Sequence, residues 1–319
     1  MKPPPADHPK TELPTAGAGD ALYVVDASDW IHRCYHAIPP EKSPSGEPCQ
    51  VTKGFVNMLI RLLFERDPAM LAFAVDQPKP TFRHELYPAY KAGRSELPEE
   101  VQHQVARIMQ ILGAHRIPVL GAKGFEADDA IATLTKWALT IGARVVIVAR
   151  DKDITQVCEE RVVVWDGNAS VTGPAEVEKR WGVGPGLLGD LLALVGDTTD
   201  NIPGVPGVGE AIAADFLRRR GSLDEVLAKP WFAKTTRIRD LLVQHVHSAR
   251  ISRELVGLRT DVPIELDPLE LRVGGYDVER LRAIYTELGF AKFAAEVCGV
   301  EKSWRRDAPL ALVALGDPR

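Results

Sequence analysis

Nine acidic residues occur at positions where parallel strands and helix starts could bring them together. Each ends an apolar run, opens a helical pattern or lies in a short polar segment: Asp26, Asp76, Glu126, Asp128, Asp129, Asp151, Asp153, Asp197 and Asp200. In an open α/β sheet, ligands bind at the carboxyl ends of the strands. Carboxylates gathered there raise one another's pKa unless cations compensate their charge. Because no His or Cys stands among them, the set favours Mg²⁺ or Mn²⁺ over Zn²⁺.

The same acids have a simpler explanation when each is taken alone. An acid in the first turn of a helix stabilises the helix dipole, and an Asp after a strand often caps the next helix. This explanation applies most directly to Glu126, Asp128 and Asp129, which lie in the segment FEADDAIA. The convergence of several such acids on one edge favours metal binding. Two hard cations about 4 Å apart can activate water and stabilise the leaving oxygen of a phosphodiester, so we predict metal-assisted phosphodiester hydrolysis.

A basic segment, residues 76–94, follows the second apolar run. Basic and aromatic side chains alternate along it: Lys79, Phe82, Arg83, Tyr87, Tyr90, Lys91 and Arg94. Basic groups bind phosphates, and aromatic faces stack on unpaired bases. The alternative is a solvated loop with buried aromatic residues. Beside a metal site, we interpret the segment as a phosphate clamp.

A glycine hairpin is predicted in residues 201–214, NIPGVPGVGEAIAA, where Gly204, Gly207 and Gly209 exclude a helix interior. The glycine turn opens directly into a helix, so its free N–H groups would point at an anion such as phosphate. The pattern is typical of a helix–hairpin–helix; a plain tight turn between helices is the alternative. Basic residues that could follow a duplex backbone come next: Arg218, Arg219, Arg220, Lys229, Lys234, Arg237 and Arg239.

The elements that must position these residues fall into two regions. Apolar runs at 21–26, 70–76, 115–120, 143–153 and 161–166 predict strands buried in a mostly parallel sheet. Helical patterns at 51–66, 99–113 and 126–141 separate them, which predicts an α/β fold with helices on both faces. Only helical patterns follow residue 184, at 185–195, 208–219, 222–228, 236–256 and 277–289.

We therefore predict four segments: a disordered Pro-rich tail (1–20), an α/β domain (21–182), a helical domain (183–300) and a C-terminal tail (301–319). The 319 residues include no apolar run long enough to predict a transmembrane helix, and the N-terminus lacks the pattern of a signal peptide. The four cysteines form no CxxC pair, which is typical of a reducing compartment, so we expect a cytoplasmic protein without a membrane partner. Net charge is −5, but without the nine acids the remainder is positive, so nucleic acid is not excluded.

Together, the segments VVDAS, DQPKPTFRHELYPAYKAGR, GFEADDAIATL, ARDKDITQ, VGDTTDNIPGVPGVG and TDVPIELD resemble the 5′-nuclease family. This family comprises the 5′–3′ exonuclease domain of bacterial DNA polymerase I and the flap endonucleases. The resemblance covers residues 21–300 and implies a PIN-like nuclease core followed by a helix–hairpin–helix domain. It also implies a structure-specific 5′ nuclease that acts on DNA 5′ ends, flaps and nicked or branched duplexes in replication and repair.

The resemblance implies a role for individual residues. One metal group matches Asp26, Asp76, Glu126, Asp128 and Asp129, and a second matches Asp151, Asp153, Asp197 and Asp200. Two Mg²⁺ ions are implied, with Mn²⁺ as a substitute. The family's active-site Lys and Arg match Lys91 and Arg94, its arch Tyr matches Tyr90, and its early Arg matches Arg83. The hairpin binds DNA phosphate through Gly207 and Gly209, with K⁺ as a candidate ion there.

Two departures from the family pattern and two alternative functions bear on this interpretation. Ala27 replaces the usual Gly after the first Asp, and Ala211 replaces the Lys that commonly follows the hairpin Glu.

A ribonuclease of the PIN type would also present acids at strand ends but needs no helix–hairpin–helix. A non-catalytic branched-DNA binding module would be favoured by loss of acids from the second group, and none is lost. If the chain is complete, the lack of a polymerase pattern after residue 300 predicts a stand-alone nuclease, with a DNA polymerase as a candidate partner in trans.

Overall fold

The structure is a computed structural model that describes residues 11–94, 97–264 and 267–299. The strands are β1 (Ala21–Asp26), β2 (Met70–Ala74), β3 (Val119–Leu120), β4 (Arg144–Val148), β5 (Val162–Trp165) and β6 (Val171–Thr172). The α-helices are α1 (Ala27–Ala37), α2 (Gln50–Arg66), α3 (Phe82–Leu86), α4 (Glu99–Ala114), α5 (Ala127–Thr140), α6 (Pro174–Trp181), α7 (Pro185–Val195), α8 (Glu210–Arg220), α9 (Leu223–Ala228), α10 (Thr236–Gln244), α11 (Val246–Val256), α12 (Val278–Glu287) and α13 (Ala291–Gly299). Short 3₁₀ helices cover Asp153–Val157 and Pro230–Phe232. Within the described part of the chain, no helix is both long and apolar enough to span a membrane.

The described residues form two compact units, which differ from the predicted domains. The sheet unit contains residues 14–78, 97–150 and those from 259 onward; the hairpin unit contains residues 11–13, 79–94 and 151–258. The basic segment from residue 79 and the segment after residue 150 therefore belong to the hairpin unit, although both precede the predicted boundary near 182. Residues that follow one another in the sequence, such as Pro78 and Lys79, therefore belong to different units.

The sheet unit is built on four parallel strands in the order β3-β2-β1-β4. Every residue of β1 and β2 is buried, which explains why these strands are continuous apolar runs rather than alternating ones. Helix α5 packs on β1, β2 and β4, while α1 packs on β2 and α2. The aromatic rings of Trp30, Phe55 and Phe73 meet with centroids 5.4–5.5 Å apart and join these layers. The predicted α/β fold with parallel strands is confirmed.

The hairpin unit is mainly helical. Its only regular strands among the described residues are β5 and β6, which pair antiparallel. Helix α7 packs against α8 and α11, and α3 packs against α11. Ser252 of α11 is fully buried and its Oγ accepts the N–H of Gly204 at 3.0 Å, so the loop after α7 is tied to α11.

Several predicted elements change in length or number. The strand predicted at 115–120 is reduced to β3, since Arg116 has a left-handed φ of 55° and Pro118 offers no N–H. The helix predicted at 236–256 is divided into α10 and α11 at His245, whose backbone leaves the helical region. The elements α1, α3, α6, α13 and β6 were not predicted.

The prediction of a disordered tail is wrong for residues 11–20. They form no helix or strand, but Thr11 donates its N–H and its Oγ1 hydrogen to the carboxylate of Glu176, at 3.2 and 2.6 Å. Further along, Asp20 forms a two-bond ion pair with Arg144. Residues 1–10 and the tail predicted at 301–319 lie outside the described residues.

Candidate active site

The acids of the first predicted metal group all belong to the sheet unit. Asp26 ends β1, and its Oδ1 accepts the N–H of Asp29 at 3.0 Å, which caps α1. Asp76 follows β2 and accepts the N–H of Ala127 at 2.9 Å, so its carboxylate lies at the N-terminus of α5. Ser28 joins the two strand ends, because its Oγ accepts the N–H of Asp76 at 3.1 Å. The structure therefore brings Asp76 to the helix start that carries Glu126 and Asp128.

Asp129, a predicted metal ligand, caps the start of α5 in the structure. Its side chain is fully buried, with an exposed fraction of 0 %. One carboxylate oxygen accepts the N–H of Glu126 at 3.1 Å, and the other accepts the N–H of Arg259 at 2.9 Å. Both oxygens thus already bind main-chain donors, and they tie the start of α5 to the segment around Arg259. For this acid, the simpler explanation from helix capping holds.

The acids of the second predicted group all belong to the hairpin unit. Asp151 accepts the N–H of Asp153 at 2.8 Å, so the two carboxylates are neighbours. Asp153 Oδ1 is buried without a hydrogen-bond partner. Burial, reinforced by the negative charge of Asp151, raises the pKa of Asp153 to about 7, and Asp197 and Asp200 act in the same direction. The carboxylates are therefore close enough to repel one another, as the sequence predicted.

Three cations of the same unit partly neutralise this group. Lys152 Nζ lies 2.7 Å from Asp197 Oδ2, and Arg94 Nη2 lies 2.6 Å from Asp200 Oδ1. Burial alone would raise the pKa of Asp197, but Lys152 and two main-chain N–H groups outweigh it and hold the pKa below the usual range. For Asp200, burial outweighs the opposing charges of Lys91 and Arg94 and the pKa is raised.

The hairpin-unit acids fit a divalent cation by their chemistry. All their donor atoms are oxygens, and Asp153 has a buried oxygen that no protein group satisfies among the described residues. Over residues 11–94, 97–264 and 267–299, no group of three or more His, Cys, Asp or Glu side chains is arranged to hold a metal ion. Asp197 and Asp200 form ion pairs with Lys152 and Arg94, and Asp197 also accepts two main-chain N–H groups. An incoming cation would compete with those two side chains.

Arg83, predicted to be catalytic, lies within the packing of the hairpin unit. Its side chain is only 2 % exposed. Its Nε donates to the carbonyl of Leu255 at 2.7 Å and its Nη2 to the carbonyl of Gly257 at 2.9 Å. These carbonyls lie at the C-terminal end of α11, where a cation is favoured. The guanidinium thereby anchors α3 and the basic segment to α11 rather than facing a substrate.

Tyr90, predicted to contact DNA, is also buried, at 4 % exposure. The ring packs edge-on against His84 with centroids 5.4 Å apart, and Lys91 Nζ lies 4.9 Å from its centre. Lys91 has a left-handed φ of 52° and donates its N–H to the carbonyl of Asp200 at 3.0 Å. Tyr90 thus supports Lys91, and Lys91 is held next to Asp200.

The glycine hairpin connects α7 to α8, and its three glycines differ. Gly204 is buried with φ 61°, and a Cβ there would meet the main chain of Val195 and Gly196 at 2.6–2.7 Å. Gly204, predicted as a DNA contact, therefore packs closely against the main chain at the end of α7. Gly207 and Gly209 are exposed, and Gly209 directly precedes the first residue of α8. Only these two can offer main-chain N–H groups to an external anion.

The predicted basic contacts after the hairpin remain on the surface but have internal partners. Arg218 donates to the carbonyl of Gly182 at 2.8 Å, and Arg219 donates to Asp215 at 3.0 Å. Both side chains are exposed at the C-terminal end of α8. They stay candidate DNA contacts that would have to exchange these bonds for phosphate.

Comparison with known proteins identifies the family. Residues 21–182 match the N-terminal, resolvase-like domain of 5′–3′ exonucleases, and residues 183–279 match their C-terminal SAM-fold domain. The chain belongs to the 5′–3′ exonuclease family. It is 41 % identical over 258 residues to DNA polymerase I of Rhizobium leguminosarum, covering 78 % of this chain and 25 % of that protein. It is 35 % identical over 298 residues to DNA polymerase I of Bacillus caldotenax, covering 92 % of this chain and 34 % of that protein.

Solved structures agree in fold with this exonuclease-family chain. The T5 D15 protein co-crystallised with metal ions superposes with a TM-score of 0.63 at 20 % identity, over 88 % of this chain and 98 % of the T5 protein. The catalytic core of Rad2 in complex with DNA substrate gives a TM-score of 0.61 at 18 % identity, over 88 % and 91 % of the two chains. The predicted family, the α/β core with a helical second domain and the nuclease class are confirmed. The chain spans about a quarter to a third of the length of the curated relatives.

Two residues of the exonuclease-family site were not singled out from sequence. Lys152 lies between two predicted ligands, Asp151 and Asp153. That position in the sequence could have indicated a contact with the acid group. Ser28 follows Ala27 at the first departure from the family pattern, and spacing alone does not indicate its bond to Asp76.

Replacement of Arg83 separates its anchoring role from a catalytic one. Arg83→Met leaves one buried and one half-buried carbonyl without their donor, so we expect a loss of about 2–4 kcal/mol in the free energy of unfolding. Arg83→Lys keeps the charge but not the forked donor geometry, so it should also lose stability. Urea denaturation measures both. Full stability of Arg83→Met combined with a large loss of cleavage rate would instead assign Arg83 to the chemistry.

Replacement of Lys152 tests its competition with metal. Lys152→Met removes the cation from Asp197, so a divalent ion should bind roughly two- to tenfold more tightly. Calorimetric titration with Mn²⁺ measures the affinity. Lys179→Met removes an exposed lysine of the same unit and controls for net charge. Weaker Mn²⁺ binding by Lys152→Met than by Lys179→Met would show that Lys152 supports the metal instead.

Proposed function

We propose that this chain is a structure-specific 5′ nuclease that hydrolyses DNA at 5′ ends, 5′ flaps and nicks, with two divalent ions. The observation that carries the proposal is the crowded second acid group, in which Asp153 has a buried, unsatisfied oxygen and a pKa raised to about 7 by burial and neighbouring acids. Such a group costs stability unless it serves to bind cations. Family membership and the DNA present in the Rad2 structure support DNA as the substrate.

The candidate ligands are the acids of both groups other than Asp129. Asp26, Asp76, Glu126 and Asp128 would hold one ion, with Asp129 capping the helix that carries two of them. Asp151, Asp153, Asp197 and Asp200 would hold the other. Bound divalent ions would supply an activated water molecule and neutralise charge on the phosphate. We propose Mg²⁺ as the natural ion and Mn²⁺ as a substitute, because the donors are oxygens.

Lys91 and Arg94 are proposed to act on the scissile phosphate. Both lie beside Asp200, and 47 % of the Arg94 side chain is exposed. When a phosphate approaches, their charge would oppose the negative charge that develops as the phosphodiester bond breaks. Gly207 and Gly209 are proposed to bind the duplex backbone at the start of α8, with K⁺ as a candidate companion ion and Arg218 and Arg219 as flanking contacts. A cytoplasmic location and a DNA polymerase as working partner belong to the same proposal.

A substrate panel tests the function. A 5′-labelled DNA flap, a nicked duplex and an RNA–DNA hybrid are incubated with the chain in Mg²⁺, in Mn²⁺ and in excess EDTA. We expect cleavage of the DNA substrates in either metal, none in EDTA, and products with a 3′-hydroxyl and a 5′-phosphate. Cleavage of RNA alone would indicate a PIN-type ribonuclease. Tight flap binding without any cleavage would indicate a branched-DNA binding module.

The role of Lys91 is tested by its removal. Lys91→Met should lower the single-turnover cleavage rate about 100-fold or more while changing flap affinity little, since the charge acts mainly in the transition state. Lys79→Met serves as the matched control, because Lys79 is an exposed lysine of the same basic segment. An equal loss of affinity and rate in Lys91→Met would make Lys91 a general binding contact.

Two glycine variants form a second matched pair, which tests the role of the hairpin in DNA binding. Gly209 has an ordinary φ of −86°, and a Cβ added there would meet open space, so Gly209→Val should fold normally yet obstruct a phosphate at the hairpin. Gly184, the cap of α7, has a φ of −71° and similar open space, so Gly184→Val is the control. We expect weaker duplex binding only in Gly209→Val, measured by fluorescence anisotropy. Equal affinities for the two variants would remove the hairpin from the DNA interface.

A further inference from the structure

Two histidines one helical turn apart lie on the exposed side of α1. His32 and His36 are both solvent-accessible, and their Nε2 atoms are 3.2 Å apart. The opposite side of α1 is buried through Ala27, Trp30, Ile31 and Cys34. Residues four apart share one helix face, so the two rings are presented together by a helix that the core holds in place.

The distance between the two nitrogens suits a shared metal ion. Zn²⁺ binds imidazole nitrogen at about 2.0–2.1 Å, and in tetrahedral geometry two such ligands stand roughly 3.3 Å apart. The observed 3.2 Å matches that separation of the two nitrogens, and the rings, whose centroids are 4.3 Å apart, would turn outward so that both lone pairs face one ion. A hydrogen bond between the two nitrogens accounts for the same contact without metal. In the hydrogen bond one ring donates its Nε2–H to the Nε2 lone pair of the other, whereas a metal ion uses the Nε2 lone pair of both neutral rings. Metal binding would therefore replace that bond and place the proton of the former donor ring on Nδ1.

We propose that His32 and His36 form a two-nitrogen site for a borderline divalent metal ion, of which Zn²⁺ is the representative. Imidazole favours Zn²⁺, Ni²⁺ and Cu²⁺, whereas the carboxylate groups favour Mg²⁺ and Mn²⁺. The chain thus carries metal sites of two chemical classes. Water completes the coordination, because the described residues provide no third His, Cys, Asp or Glu for such a group.

Metal at this site would act on the helix that Asp26 caps. Asp26 precedes α1 and His32 is six residues further along, about 9 Å by the helical rise. An ion held by residues one turn apart cross-links that turn and favours the helical state. Because the ion would bind the folded helix and not the unfolded chain, it should stabilise the protein by an amount that increases with the logarithm of the Zn²⁺ concentration above the Kd.

The test is a calorimetric Zn²⁺ titration of the full chain in saturating Mg²⁺, which occupies oxygen sites and leaves imidazole free. We expect wild type to bind one Zn²⁺ more than His32→Gln or His36→Gln, or to bind that ion at least about tenfold more tightly. His103→Gln is the matched control, since His103 is exposed on α4 with Glu99 and Arg107 one turn away. It should behave as wild type. The difference between wild type and variants holds whether or not the carboxylates bind Mg²⁺, so it does not depend on the proposed nuclease function.

Circular dichroism establishes that each variant is folded, and thermal denaturation gives an independent readout. Zn²⁺ should raise the melting temperature of wild type and His103→Gln and leave both α1 variants unchanged. Identical Zn²⁺ stoichiometry and affinity in all four proteins would overturn the proposal and leave the 3.2 Å contact as a hydrogen bond. So would Zn²⁺ stabilisation that persists in His32→Gln and His36→Gln.

Discussion

Repulsion between closely spaced carboxylates is the constraint on which the candidate active site depends. In the hairpin unit, Asp153 is buried beside Asp151, and Asp197 and Asp200 add to the negative charge around it. Removing such groups from water disfavours their ionised forms, so they need counter-charge. The protein supplies part of it through Lys152 and Arg94, at 2.7 and 2.6 Å from their acids. The remaining negative charge would attract a divalent cation, and the bound cation would in turn attract a phosphate.

Main-chain groups complete the arrangement by holding charged side chains that do not reach the substrate. Arg83 binds two carbonyls at the end of α11, and Asp129 binds two N–H groups around the start of α5. Charged side chains are stable at such low exposure only when their polar atoms are satisfied. These contacts hold the segments that carry Lys91 and Glu126.

The glycine hairpin likewise contains one residue that packs inside the protein and two that remain exposed. Gly204 permits the close approach of two stretches of main chain after α7, whereas Gly207 and Gly209 leave exposed backbone at the start of α8. Glu210 begins that helix and would oppose a phosphate there, but Arg180 pairs with it at 3.0 Å. The anion-binding character of the helix start is thereby retained despite an acid in its first turn.

The amino-acid sequence by itself determined the family, the parallel α/β core and the two groups of acids, because repeated apolar runs that each end in an acid are typical of a buried parallel sheet with a charged edge. Helix α1, the division of the basic segment from its sequence neighbours, and the roles of Arg83, Tyr90, Asp129 and Gly204 were decided only by the tertiary structure. Each of these residues carries chemistry that suits a substrate equally well. What separates them is burial and the presence of main-chain partners up to 174 positions away along the chain. The spacing of residues along the chain indicates which of them share a helix or strand. It does not indicate which carbonyl or N–H group from a distant part of the chain lies within hydrogen-bond distance. That proximity decides whether a charged side chain stabilises the fold or remains available to a ligand.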